Sequence, residues 1–180
     1  MISHEDAMIL AYRHAMESPD PSTQNGAVLL AADPVSYDRA GGWDYKIIGA
    51  GCNDFPRGVD LEHWTGPKEG KYARVVHSEV SAILDAARSG HATEGATLVC
   101  PWAACSNCSK HIAAAGIAVL VRHPFFDNGV ASGNSWYDDC VLGDEIMKQA
   151  GIVIVEIDPL IAGTGIQLRR EGRLWPEAWA

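Results

Sequence analysis

HSEVSAILDAARSGHATEGATLVCPWAACSNCSKHIAAAGIAVLVRH, residues 77–123, switches repeatedly between helical and strand-like patterning. Val80, Ile83, Leu84 and Ala87 recur at helical spacing, and Gly90 follows as a stop. ATLVC (96–100) reads as a strand, CSNCSKHIAAAG (105–116) as a helix closed by Gly116, and IAVLVRH (117–123) as a buried strand. Downstream the pattern repeats: DCVLGDEIMKQAG (139–151) is a helix and IVIVEI (152–157) another buried strand. Upstream, GAVLLAA (26–32) and YKIIGAGCN (45–53) are strand candidates, separated by the loop-like DPVSYDRAGGW. HEDAMILAYRHAME (4–17) carries Met8, Ile9, Tyr12, Ala15 and Met16 at helical spacing, with a Ser3/Asp6 capping signal before them. SPDPSTQNG is a turn by composition, and residues 54–76 are irregular, with Pro56, Gly58, Gly66, Pro67 and Gly70. The order β-β-α-β-α-β-α-β predicts a layered α/β domain with about five strands. Continuous apolar strands imply that both sheet faces are covered.

The chain has 180 residues, enough to bury roughly 70% of its unfolded surface as one domain spanning 1–180. Its core is expected at about 18–157, with a tail at 158–180. That tail holds Arg169, Arg170, Arg173, Trp175 and Trp179, and its two tryptophans need cover, expected from the same chain. With 47% apolar residues a core can form, and disorder is excluded. No stretch of 18 apolar residues appears, so no membrane partner is expected. MISHEDAMIL lacks a basic region followed by an apolar run, so a cytoplasmic protein is expected, in host cytoplasm if phage-encoded. A net charge of −9 argues against a nucleic-acid partner, which needs a positive footprint. It leaves room for a small anion held by a few local cations.

Five cysteines (Cys52, Cys100, Cys105, Cys108, Cys140) include one C-x-x-C, which in a reducing compartment suggests metal or redox chemistry. His77-Ser78-Glu79 opens one expected helix and Cys105-Ser106-Asn107-Cys108 the next. A catalytic zinc takes three protein ligands from imidazole and thiolate, and His77, Cys105 and Cys108 form such a set. Helix N-termini favour thiolate over thiol, and parallel neighbouring strands would bring both helix starts to one sheet edge. A carboxylate such as Glu79 beside an activated water suits proton transfer. A closed structural site would need a fourth ligand, for which Cys100 and His111 are candidates.

H-x-E followed by C-x-x-C is the signature of the zinc nucleobase deaminases, and the chain resembles the cytidine deaminase superfamily. Within it, GCNDFPRG and KYARVVHSEVSAI are most similar to deoxycytidylate deaminases, including phage-type ones. The likeness runs from about Ser18 to Ile157, through STQNGAVLL, GATLVCPWAACSNCSKHIAAAGI and WYDDCVLGDEIMKQAGI. It implies a three-layer α/β/α sandwich with a mixed sheet, and a zinc-dependent hydrolase that turns dCMP into dUMP and ammonia and so feeds thymidylate synthesis. In that scheme His77, Cys105 and Cys108 hold catalytic Zn²⁺, zinc-bound hydroxide attacks C4, and Glu79 shuttles the proton. Alternatives are a cytidine or deoxycytidine, riboflavin-pathway or tRNA adenosine deaminase, or a non-catalytic zinc module.

By the same resemblance Asn53 binds the deoxyribose or base, Ser78 replaces the usual Ala while keeping its backbone near the base, and Tyr137 lies near the phosphate. Arg57 and Lys71 are further phosphate candidates because the phosphate needs local positive charge, and Ser22 and Gln24 could reach the nucleotide. A regulatory nucleotide site would involve Asn53, Asp54 and Phe55, with dCTP and Mg²⁺ activating and dTTP inhibiting. Cys52 and Asp54 depart from the family's Tyr and Gly around that Asn. Ala104 replaces the Pro that usually precedes the first Cys; Pro101 and Trp102 are expected to stiffen the loop instead. A homo-oligomer, a hexamer by preference, is implied. His63, His91 and His123 are expected to have no catalytic task.

Overall fold

The computed structural model describes residues 2–31, 36–37, 43–124, 135–158 and 163–175. Helix α1 (His4–Glu17) starts on a capping box: Asp6 N–H donates to Ser3 Oγ at 3.1 Å and Ser3 N–H to Asp6 Oδ2 at 3.3 Å. Strand β1 (Gly26–Leu30) is followed by the two-residue strands β2 (Ser36–Tyr37) and β3 (Trp43–Asp44), which pair inside the segment expected to be loop. Next come β4 (Ile47–Cys52), a 3₁₀ turn (Leu61–Trp64), α2 (Lys68–Tyr72) and α3 (Ser78–Arg88). The chain continues through β5 (Thr97–Val99), α4 (Ser106–Ala114), β6 (Val119–Arg122), α5 (Ser135–Gln149) and β7 (Val153–Glu156). A hairpin of β8 (Leu168–Arg170) and β9 (Arg173–Trp175) forms the tail. The left-handed conformations at Gly90 and Gly116 end α3 and α4 where the sequence pattern stops.

The main sheet is mixed, in the order β4-β1-β5-β6-β7. β1 is antiparallel to both β4 and β5, whereas β5, β6 and β7 run parallel. Alternate residues of each strand feed two cores. Leu29, Leu98 and Leu120 meet Ala82, Ile112 and Met147 from α3, α4 and α5. Val28, Leu30, Val99 and Val121 meet Met8 and Tyr12 of α1, joined by Ile166 and Leu168 from the tail. The result is a three-layer α/β/α sandwich.

Three expectations are corrected. β7 is not a buried strand: it is the sheet's edge, and Val153 is 57% exposed. Its apolar run reads the same at an edge as at a centre. The strands preceding the two site helices are not neighbours either. β4 and β5 are mutually parallel, but β1 runs antiparallel between them. Helix α5 also begins four residues before the Asp139 start expected, and its first turn sets Trp136 edge-on to His77.

Candidate active site

His77 is the N-cap of α3 and Cys105 the N-cap of α4, so both side chains leave the backbone at helix starts. α3 lies tightly on β4. A Cβ on Gly49 would strike the Ala82 carbonyl oxygen, and one on Gly51 would come within 2.6 Å of Ser81 Cβ. α5 closes on the other side: Asp139 Oδ1 accepts from Ser106 Oγ at 2.6 Å and Oδ2 from Ser106 N–H at 3.3 Å, fixing the first turn of α4.

These contacts bring His77, Cys105 and Cys108 together, their ligand atoms all within 4.8 Å of one another. His77 Nδ1 lies 3.6 Å from Cys105 Sγ and 3.4 Å from Cys108 Sγ. Tetrahedral zinc, with bonds of about 2.3 Å to sulfur and about 2.0 Å to nitrogen, sets such atoms about 3.5 Å apart. The donor set therefore fits a zinc ion. Among the described residues no fourth His, Cys, Asp or Glu joins the group. His111 instead bonds the Asn107 carbonyl through Nδ1, and Cys100 receives a hydrogen bond from Asn25 Nδ2 at 3.3 Å. Three protein ligands and an open position are what a catalytic rather than a structural zinc requires.

The electrostatics agree with that reading. A hydrogen bond from Cys108 pulls the Cys105 thiol down to about 4 against the effect of burial, and His77 assists. Cys108 is pushed up, first by the hydrogen bond to Cys105 and then by burial. Burial opposes a charge on His77, but Cys105 and Glu79 outweigh it and hold its pKa above the ordinary value. Glu79 is 2% exposed, and burial raises its carboxyl pKa while His77 partly offsets the rise. Ser78 Oγ donates to Glu79 Oε2 at 3.1 Å.

Glu79, His77 and Cys105 line a cavity of about 410 Å³, within the range of about 300–1,000 Å³ usual for small-ligand sites. Asn53 lines it too. Its Oδ1 accepts from Ser78 N–H at 2.9 Å and its Nδ2 donates to the Thr23 carbonyl at 3.1 Å. Ser78 is fully buried behind this bond and outside the lining, its N–H already used by Asn53. Ser22 and Lys71 are in the wall. Lys71 Nζ is held 2.7 Å from Asp20. Arg57, Tyr137 and Gln24 are not in the wall. Asp54 is exposed, and Phe55 is buried in a stack on Trp64 at 4.0 Å, so the three residues expected at a regulatory site separate, with only Asn53 in the cavity. His63, His91 and His123 also lie outside it.

Sequence reasoning missed Asn25, Trp136, Cys140 and the tail residues Arg170 and Glu171, all in the wall. Trp136 crosses the His77 ring edge-on at 5.9 Å, one residue from the Tyr137 that the sequence singled out.

Residues 1–123 match the family described as the cytidine and deoxycytidylate deaminase zinc-binding region. The chain belongs to this deaminase family. It is 33% identical to the deoxycytidylate deaminase of Enterobacteria phage T2 over 99 residues, 55% of this chain and 47% of that one. It is 30% identical to the mouse deoxycytidylate deaminase over 120 residues, 63% of this chain and 60% of that one. The match thus spans about half of the phage relative's length and about 60% of the mouse relative's. In fold it is similar to the dCMP deaminase of cyanophage S-TIM5, with a TM-score of 0.56 at 21% identity, covering 86% of this chain and 96% of that one. That cyanophage enzyme has also been solved in complex with dCMP and dUMP. Among the described residues of this family member, no helix is long and apolar enough to cross a membrane.

Proposed function

We propose that this deaminase-family chain is a zinc-dependent dCMP deaminase: dCMP and water give dUMP and ammonia. The observation that carries the reading is one buried carboxylate, Glu79, sharing a cavity with His77 and Cys105 of an N,S,S donor set that fits zinc. The relatives named deoxycytidylate deaminase, and the cyanophage enzyme's complex with dCMP and dUMP, support the choice of nucleotide. His77, Cys105 and Cys108 would hold the metal. When bound there, zinc supplies the Lewis acidity that makes water nucleophilic near neutral pH.

The chain's own residues do the rest. Glu79 takes one proton from the attacking water and delivers it to N3 of cytosine as C4 gains the oxygen. It then carries the second proton to the exocyclic nitrogen, the C4–N bond breaks, and ammonia leaves. Ser78 Oγ, donating to Glu79 Oε2, fixes which carboxylate oxygen faces the cavity. Asn53, held by Thr23 and Ser78, presents a rigid polar edge to the nucleotide. The wider reading is a single domain over 1–180 acting in the cytoplasm as a homo-oligomer. Hexamer formation and control by dCTP with Mg²⁺ or by dTTP rest on family likeness and are tested by light scattering and by rates with added triphosphates.

The decisive experiment is ammonia release from dCMP, with deoxycytidine and dCTP in parallel, for the native chain and for Glu79→Gln. The variant should keep stoichiometric zinc and lose about 10²–10⁴-fold in turnover, the usual worth of a positioned proton carrier. Ammonia release at the native rate by Glu79→Gln removes Glu79 from the mechanism. Zinc bound without release from dCMP redirects the search to other aminated bases.

A further inference from the structure

The matched family region ends at residue 123, but the cavity wall continues beyond it. Arg170 and Glu171 line the cavity from the β8–β9 hairpin. The hairpin reaches it by pairing with the segment before β1. Gln24 N–H donates to the Arg169 carbonyl, Arg169 N–H to Gln24 Oε1 and Gly172 N–H to the Ser22 carbonyl, each at 2.8 Å. Trp102, three residues before the zinc-site Cys105, donates through Nε1 to the Gln24 carbonyl at 3.2 Å, so the same strand of chain ties the metal loop to the hairpin.

Arg170 is 5% exposed, with its guanidinium carbon 4.4 Å from the Trp102 ring centroid. A guanidinium seated over an aromatic ring carries a planar fork of N–H donors that matches phosphate oxygens. Burial lowers its pKa only to about 10, so it stays cationic at neutral pH. Two lysines also line the wall. Lys71 sits against the Asp20 carboxylate, whose Oδ1 also accepts from Ser22 and Thr23 N–H, and Lys68 is exposed at the rim. Among the described residues, Arg170 is therefore the deeply set arginine of a cavity in an acidic protein.

We propose that Arg170 is a specificity-determining residue that reads the 5′-phosphate of the substrate, which makes the C-terminal hairpin part of the substrate site. The inference rests on the proposed dCMP reaction for the identity of the base, but phosphate preference is readable from binding without turnover. The experiment is calorimetry of dUMP and deoxyuridine on the zinc-loaded full chain, with Arg170→Met and Arg170→Lys. The native chain should bind dUMP at least about tenfold more tightly than deoxyuridine, the worth of a charge-assisted pair. Arg170→Met keeps the stem over Trp102 and should weaken dUMP by about 10–100-fold while deoxyuridine changes less than about twofold. Arg170→Lys, with charge but no fork, should fall between, and it decides the matter if the Met variant fails to fold. Equal losses for both ligands would make Arg170 a brace for the metal loop and overturn the proposal. So would unchanged dUMP affinity, or a native chain indifferent to the phosphate. A native chain that prefers dUMP yet does not deaminate dCMP overturns the proposed reaction and leaves Arg170 in its role.

Discussion

At the β6–β7 edge, Arg122 donates to both oxygens of Asp144, at 2.7 and 2.9 Å, and to Glu156 at 3.0 Å. At the start of α3, His77, Cys105 and Cys108 instead turn three donor atoms toward one another beside a buried carboxylate. The first cluster matches a cation to anions and closes on itself. The second gathers groups of the same coordinating kind and faces a cavity. Each has a buried charged group at its centre, Arg122 in one and Glu79 in the other, and burial alone does not separate structure from function. What separates them is whether the polar groups satisfy each other or converge on a point where none of them sits. A self-satisfied network holds a fold together; convergent donors with a depressed thiol and a raised carboxyl need a further group to balance them.

The contrast predicts opposite responses to loss of one member. His77→Ala should strip the metal, with zinc affinity falling by more than the roughly 100-fold that partners outside the ligand set typically cost. Deamination should vanish with it, while metal analysis and circular dichroism show an otherwise folded chain. Retention of stoichiometric zinc by both His77→Ala and Cys105→Ala would break the comparison at its functional end. Asp144→Ala should do the reverse. It removes the bidentate carboxylate from the Arg122 guanidinium, which is 4% exposed, at a cost of about 3–5 kcal/mol in denaturant unfolding. Zinc content and turnover per folded molecule should stay native. Loss of zinc by the folded Asp144→Ala chain in the absence of denaturant would show that the two corners are coupled.

The clustering of His77, Cys105 and Cys108 was legible in the sequence because its parts are local. H-S-E and C-S-N-C each occupy a single helix start, and Gly90 and Gly116 mark where those helices stop. The antiparallel strand β1 between β4 and β5 was not legible, because spatial order in a sheet is set by packing between distant segments. Nor was the cavity wall. Lys71 meets Asp20 across 51 positions and Arg169 meets Gln24 across 145, and no local pattern announces either pair. Trp136 was missed by one residue, since choosing between neighbours on a helix needs its rotation about its own axis. Arg57 looked suitable by charge, but it is an exposed residue outside the wall.

The smallest effect concerns the helix that serves both corners. α5 carries Gly143 and Asp144 in succession, one facing the metal loop and the other facing Arg122. A Cβ on Gly143 would lie 2.5 Å from the Ala104 carbonyl oxygen and 2.7 Å from Ser109 Oγ. Alanine gains about 1 kcal/mol of helix propensity over glycine, while overpacking costs about 1–3 kcal/mol. Gly143→Ala should therefore lower global stability by no more than about 2 kcal/mol. The strain falls on the backbone next to Cys105, so the rate of zinc release to a chelator should rise by more than the stability change alone would give. The Arg122 network should be untouched, because Asp144 leaves the helix on a different side. Faster zinc release with a nearly native unfolding midpoint would show that α5 braces the metal loop where Ala104 has replaced the stiffer proline. A large drop in midpoint with unchanged zinc release would show that the helix shifts as a rigid body and that the two corners are not mechanically separate.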